Sequence, residues 1–155
     1  MLIQFSILTI PYPPYIPRTK TTNGKQLIFC ELRKIWIRFT PEEWVRQNFL
    51  QYLIQIKNYP ASLIAVEKEI TVGELKKRFD ILVYKNDQPW MVIECKEQDT
   101  MLTETIIKQI LSYYSVLQTN YLVITNGNQT ECFSIMNSTI KQVEIVPEYK
   151  KSESN

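Results

Sequence analysis

Hydrophobic and polar residues recur along the chain with two periods, near two and near 3.6, and these divide it into strands and helices. The strongest strand signal is Arg78–Lys96, RFDILVYKNDQPWMVIECK. Phe79–Tyr84 and Trp90–Cys95 are short apolar runs separated by Asn86, Asp87 and Gln88, and Asn and Asp tolerate the left-handed dihedrals of a tight turn. Side chains alternate faces along a strand, so Asp80, Leu82 and Tyr84 share a face, as do Trp90, Val92, Glu94 and Lys96. With a three-residue loop at 86–88, position 80 lies opposite 94. Ile81, Val83, Met91, Ile93 and Cys95 then form an apolar surface on the other side.

The helical period appears twice. Thr40-Pro41-Glu42-Glu43 supplies an N-cap, a proline at the first helical position and a glutamate placed for a capping box. Trp44, Val45, Phe49, Tyr52, Leu53 and Ile56 make an apolar stripe to about Lys57, and Asn58-Tyr59-Pro60 ends the helix. Thr103 caps a second helix over Glu104–Gln118, with Ile106, Ile110, Tyr113, Tyr114 and Leu117 on its apolar side. Further strands are expected at Gln26–Cys30, Ile35–Phe39, Leu63–Glu67, Ile70–Val72, Tyr121–Thr125, Glu131–Met136 and Lys141–Val146, with Asn23-Gly24 marking a hairpin. The order predicts an α/β sandwich around a mixed sheet. Residues 1–39 read as an N-terminal extension with a β-ribbon, 40–147 as the core and 148–155 as a frayed tail.

Composition narrows the class. The 155 residues suit one domain, and 45% apolar with 22% charged residues describes a folded chain. No apolar run approaches the length of a membrane span, and MLIQFSILTIPYPPYIP lacks the basic start of a signal peptide. Cys30, Cys95 and Cys132 form no CxxC pair, which fits a reducing, cytoplasmic setting. The absence of histidine removes Ser-His-Asp and Cys-His nucleophile systems and histidine–metal motifs. A net charge of +2 gives no strong electrostatic reason to expect nucleic acid.

Asp80, Glu94 and Lys96 are spaced D-x13-E-x-K. Two carboxylates on a strand pair with a buried far side repel and lose hydration unless a positive charge lies between them. A divalent cation, Mg²⁺ or Mn²⁺, is an economical answer, with Asp80, Glu94 and the Cys95 carbonyl as hard oxygen ligands. Such a cation acidifies water and offsets charge growing on a phosphodiester, while Lys96 orients the attack. A plain ribbon with a surface Glu94–Lys96 ion pair gives the same spacing. Gln109 and Tyr113, four apart on one helix face, suit phosphate or base contact, or the edge of a core. Glu67 reads as a third carboxylate or as part of a solvated run, Glu43 as a cap or a metal neighbour, and Arg46 as a carboxylate partner or DNA contact. The basic groups Arg18/Lys20/Lys25, Arg33/Lys34/Arg38 and Lys76/Lys77/Arg78 suit phosphates or solvent equally. No glycine-rich phosphate loop is present, which argues against ATP use.

The D-x13-E-x-K set followed by Gln109-x-x-x-Tyr113 resembles the PD-(D/E)xK nuclease superfamily, in the branch with a QxxxY helix motif. More closely, TPEEWVRQNFLQYLI, YPASLIAVEKEI, LKKRFDILVY, PWMVIECKE, QILSYY and YLVITNG resemble the N-terminal nuclease domain of type I restriction enzyme R subunits, over residues 26–147. The resemblance implies a restriction-endonuclease-like α/β/α core with a central mixed β-sheet and Mg²⁺-dependent, restriction-type cleavage of DNA. It implies metal ligands at Asp80 and Glu94 and a catalytic Lys96, with support from Gln109 and Tyr113; Glu43 and Glu67 match acidic positions. Phe79 stands where a proline is usual, and Glu97-Gln98-Asp99 where Ala-Pro is frequent. The alternative expectation is a catalytically idle nucleic-acid-binding or protein-interaction module on the same fold. A homodimer or partner subunits would complete its DNA-binding surface.

Overall fold

In the computed structural model, which describes residues 8–115 and 117–151, the elements run β1 (Thr19–Thr22), β2 (Lys25–Cys30), β3 (Ile35–Arg38), α1 (Pro41–Gln51), β4 (Ile64–Val72), β5 (Leu75–Lys85) and β6 (Gln88–Cys95), then α2 (Glu104–Tyr114), β7 (Tyr121–Thr125), β8 (Thr130–Met136) and β9 (Thr139–Val143). Strands β4 to β9 form one sheet in sequence order, antiparallel except for β6–β7, which α2 joins as a parallel crossover. The sheet is therefore mixed, and it is buried on both faces. Val45, Phe49 and Leu53 pack with Ile81, Val83, Met91 and Ile93 on one side. Ile107, Ile110 and Tyr114 pack with Phe79, Leu82, Val92 and Leu122 on the other. Strands β1–β3 make a separate antiparallel sheet.

The central hairpin reaches the expected pairing by a different route. Its turn is the two residues Asn86 and Asp87, both with positive φ (52° and 61°), the type I′ geometry that matches strand twist. Gln88 pairs with Lys85 instead of standing in the loop. A two-residue turn alone would set Asp80 against Ile93. However, the register shifts between Val83 and Tyr84: Tyr84 pairs with Pro89 and Val83 with Met91, leaving Trp90 as an extra residue. Ile81 then pairs with Ile93, which brings 80 level with 94. The bulge also moves Trp90 off the Val92 face predicted for it, to the α1 side against Tyr59 and Tyr121.

A second irregularity lies on the other side of β5. The predicted strands at 63–67 and 70–72 are one continuous β4, and Glu67 within it has φ of 54°, a left-handed value unusual for a non-glycine in a strand. Val66 pairs with Ile81 and Lys68 with Phe79, but Glu67 and Asp80 form no ladder pair. Face alternation breaks there: Phe79 packs on the α2 side, as Leu82 does, while Ile81 packs on the α1 side.

Thr40 caps α1 by accepting from the Glu43 N–H at 3.0 Å, as the sequence predicts. The Glu43 carboxylate does not return the bond and accepts from Gln47 and Arg46 instead. Beyond Gln51 the helix continues as a π-helical stretch, Tyr52–Ile56, so the extent to about Lys57 holds with a changed hydrogen-bond period. α2 stops at Tyr114, short of Gln118, because the chain bends and Leu117 tucks into the core. Asn23 and Gly24, both at positive φ, turn β1 into β2, as the hairpin signal predicts. After β9 the chain stays attached as far as Tyr149, whose N–H donates to the Lys57 carbonyl at 2.9 Å and whose ring meets Tyr59. Among the described residues no helix is long and apolar enough to cross a membrane.

Candidate functional site

The irregular point of β5 opens a cavity of about 590 Å³ between α1, β4, β5, β6 and α2. Asp80 stands at its floor. One carboxylate oxygen accepts from the Cys95 backbone N–H at 2.8 Å, so the side chain does the work of a missing ladder acceptor. The other accepts from the Arg46 guanidinium at 2.7 Å.

Arg46 is the pivot of the acidic cluster. Only 5% exposed, it bridges Glu43, Asp80 at 2.7 Å and Glu67 at 3.2 Å, and Glu42 lies 3.6 Å away. Glu43 and Glu42 sit three and four residues before it on α1, so helical spacing alone brings them together. Glu67 is also held by Arg33 at 2.9 Å and Arg78 at 3.2 Å, and these guanidinium groups lower its carboxyl from the ordinary value against the effect of burial. The left-handed backbone at Glu67 thus turns its carboxylate toward three arginines. Both Glu43 and Glu67, expected near a metal, are bound up in this network.

Glu94 is less compensated. Burial and then the charge of Asp80 push its carboxyl up to about 7. Asp80 and Glu94 line the same cavity from neighbouring strands, level with each other beside the Ile81–Ile93 pair. The Tyr114 hydroxyl donates to one Glu94 oxygen, and the Lys96 ammonium lies 3.2 Å from the other. Lys96 is fixed by its own backbone, whose N–H donates to the Thr125 carbonyl at 2.8 Å. Tyr114 is raised by burial and by the adjacent Glu94 charge. Glu42 is also raised, by burial and then by Asp80.

Gln109 and Tyr113 line the same cavity from α2, and both are exposed. Tyr113 lies outside the core; its ring carries the Lys77 ammonium at 3.9 Å. The buried neighbour is Tyr114, which sequence reasoning counted only as part of the apolar stripe. Its four-residue spacing from Ile110 places it on the sheet side of α2, and a hydroxyl on that side needs a polar partner. Arg46 also had a signal. It falls between Val45 and Phe49 on the helix's apolar side, where a cation must be paired.

An all-oxygen set of Asp80, Glu94 and the Cys95 carbonyl suits Mg²⁺ in chemistry. As arranged, however, each carboxylate oxygen already has a partner, and Arg46 supplies the positive charge a cation would bring. Among the described residues no group of three or more His, Cys, Asp or Glu side chains is placed to hold a metal ion. The arrangement does not fit a bound divalent cation.

The fold and site together define an α/β domain: a mixed six-stranded sheet flanked by helices, with an arginine-bridged acidic cavity where β5 and β6 meet α1 and α2. The chain belongs to the family described as Type I restriction enzyme R protein N terminus (HSDR_N), which matches residues 41–148. No curated protein and no solved structure matches it. The family match begins at the first residue of α1, so β1–β3 precede it.

Proposed function

We propose that the chain is a nucleic-acid-binding or protein-interaction module on a restriction-endonuclease-like fold, with its acidic centre idle in the arrangement described. The observation that carries this reading is Arg46. Its guanidinium pairs with Asp80, Glu43 and Glu67 from within the fold, and a buried pair of this kind is broken only at considerable cost.

The second reading is a Mg²⁺-dependent restriction-type deoxyribonuclease, and one feature favours it. Asp80, Glu94 and Lys96 line one cavity, with Lys96 paired to Glu94, and perturbed carboxyls in clefts are enriched at functional sites. There Asp80, Glu94 and the Cys95 carbonyl would hold the ion, which would supply Lewis acidity toward a DNA phosphodiester. Arg46 would first have to release Asp80. Gln109 and Tyr113 would meet substrate phosphate or base from α2.

The test is cleavage of plasmid, linear and single-stranded DNA with Mg²⁺ or Mn²⁺, comparing wild type with Asp80→Ala and Lys96→Ala. The idle-module reading expects equal background from all three proteins. Cleavage by wild type that both substitutions abolish overturns it in favour of the nuclease.

A further inference from the structure

The net charge of +2 conceals a strong asymmetry. Arg18–Arg38 contains six lysines and arginines and a single carboxylate, Glu31, so the rest of the chain is net acidic. This basic stretch is the β1–β2–β3 sheet, which lies before the family match and takes no part in the main sheet.

Its two faces differ in kind. Ile28 and Cys30 point inward and are fully buried. The alternate residues of β2, Leu27 and Phe29, point outward, and the register sets Phe29 beside Trp36 and Leu27 beside Arg38. The Phe29 and Trp36 rings meet edge to face at 5.2 Å, and Trp36 remains 37% exposed. Cations cover both rings: the Arg18 guanidinium lies 4.1 Å from the Phe29 centroid and the Lys20 ammonium 4.3 Å from that of Trp36. Arg18 is paired with Glu31. Lys20, Lys25 and Arg38 form no ion pair among the described residues. The result is an edge-to-face pair of aromatic rings fringed by cations, of which Lys20, Lys25 and Arg38 have no carboxylate partner among the described residues.

We propose that this outer face is a binding platform for single-stranded nucleic acid. The inference deepens the nucleic-acid half of the function proposed above and rests on it. Unpaired cations suit phosphates, and the aromatic faces suit unstacked bases, which a duplex does not present. A base stacked on an aromatic side chain outweighs an exposed cation–π contact. A base therefore displaces Lys20 from the Trp36 ring, and the freed ammonium meets the adjoining phosphate.

The test is fluorescence anisotropy of the full chain with labelled oligo-dT, the corresponding RNA and a duplex, each of roughly 12 units. Tryptophan emission is followed alongside. The expected result is binding of DNA and RNA single strands in preference to duplex, weakening at least tenfold between about 50 and 200 mM salt. Trp36→Ala lowers affinity roughly 5- to 100-fold while Trp36→Phe largely restores it, and Lys20→Ala with Arg38→Ala lowers it and flattens the salt dependence. Unchanged thermal unfolding of the Lys20→Ala and Arg38→Ala variants, and a cooperative unfolding transition above the assay temperature for Trp36→Ala, separate lost binding from lost folding. Single-strand binding that survives all the substitutions overturns the platform but leaves the functional reading standing. Tighter binding of duplex overturns the single-strand assignment. No binding of any nucleic acid by wild type at low salt overturns both, leaving only the protein-interaction reading.

Discussion

Two groups of basic side chains hold opposite relations to water. In the acidic cavity, Arg46 and Arg33 are withdrawn from solvent and locked to Glu43, Glu67 and Asp80. On the outer face of β1–β3, Lys20, Lys25 and Arg38 are exposed. The first cluster spends its charge within the molecule, so its contribution is to the fold and its removal should be felt as instability. The second has charge available to a partner, so its removal should be felt as lost binding. The same residue types therefore serve two ends, and what decides between them is whether carboxylates fold in beside them.

The most severe way to break this contrast is Arg46→Ala. It strands buried carboxylates at Glu43 and Asp80, and the expected loss is about 3–5 kcal/mol in urea unfolding. Adding Glu43→Gln should recover part of it. A loss below about 1 kcal/mol would mean that the cluster is not structural.

A buried carboxyl without an arginine sharpens the comparison. Glu131 on β8 is fully buried with no cation beside it, and burial, offset only in part by the Gln129 side chain, pushes its carboxyl up to about 7. A raised carboxyl holds its proton more tightly in the folded state. Its contribution is therefore intact below the unfolded value of about 4.3 and is lost as pH rises through about 7. Glu131→Gln should be more stable than wild type at pH 8, by on the order of 2 kcal/mol, and equal to it near pH 4. Parallel stability–pH curves for the two proteins would refute this.

Glu94 lies between the extremes, with a tyrosine and a lysine but no arginine. Carbon-13 NMR of its carboxyl should show a midpoint near 7. Because Tyr114 donates to the charged form, Tyr114→Phe should raise that midpoint by about one unit. A downward move would contradict the assigned bond. At the mild end, Lys20→Ala and Arg38→Ala should change stability by less than about 0.5 kcal/mol, as exposed positions do.

Much of this organisation is legible in the residues. Thr40 and Thr103 announce both helices because capping is local chemistry, and Asn23-Gly24 and Asn86-Asp87 announce hairpins because few residues accept positive φ. The opposition of 80 and 94 was expected from a three-residue loop, and it arises instead from a two-residue turn and the bulge at Trp90. What could not be read are features that arise from long-range packing. The left-handed Glu67 has no glycine to mark it, and it is stabilised by Arg33, distant in sequence. The bulge at Trp90 is fixed by ring contacts to Tyr59 and Tyr121. Arg46 could be suspected from its helix face, but its partners on β4 and β5 could not be named. Net charge was the least informative signal, since it averaged a basic sheet with an acidic remainder.

The extra residue at Trp90 implies a parity rule for this hairpin. With two residues in the turn and one in the bulge, the number of positions between Asp80 and Glu94 leaves both side chains on one surface. An insertion into the turn alone, or a deletion of the bulge alone, changes odd to even and sends one of them through the sheet. Both changes together preserve the match. Hairpins of this design can thus vary in outline while their acidic pair stays together, provided that the two lengths change in step.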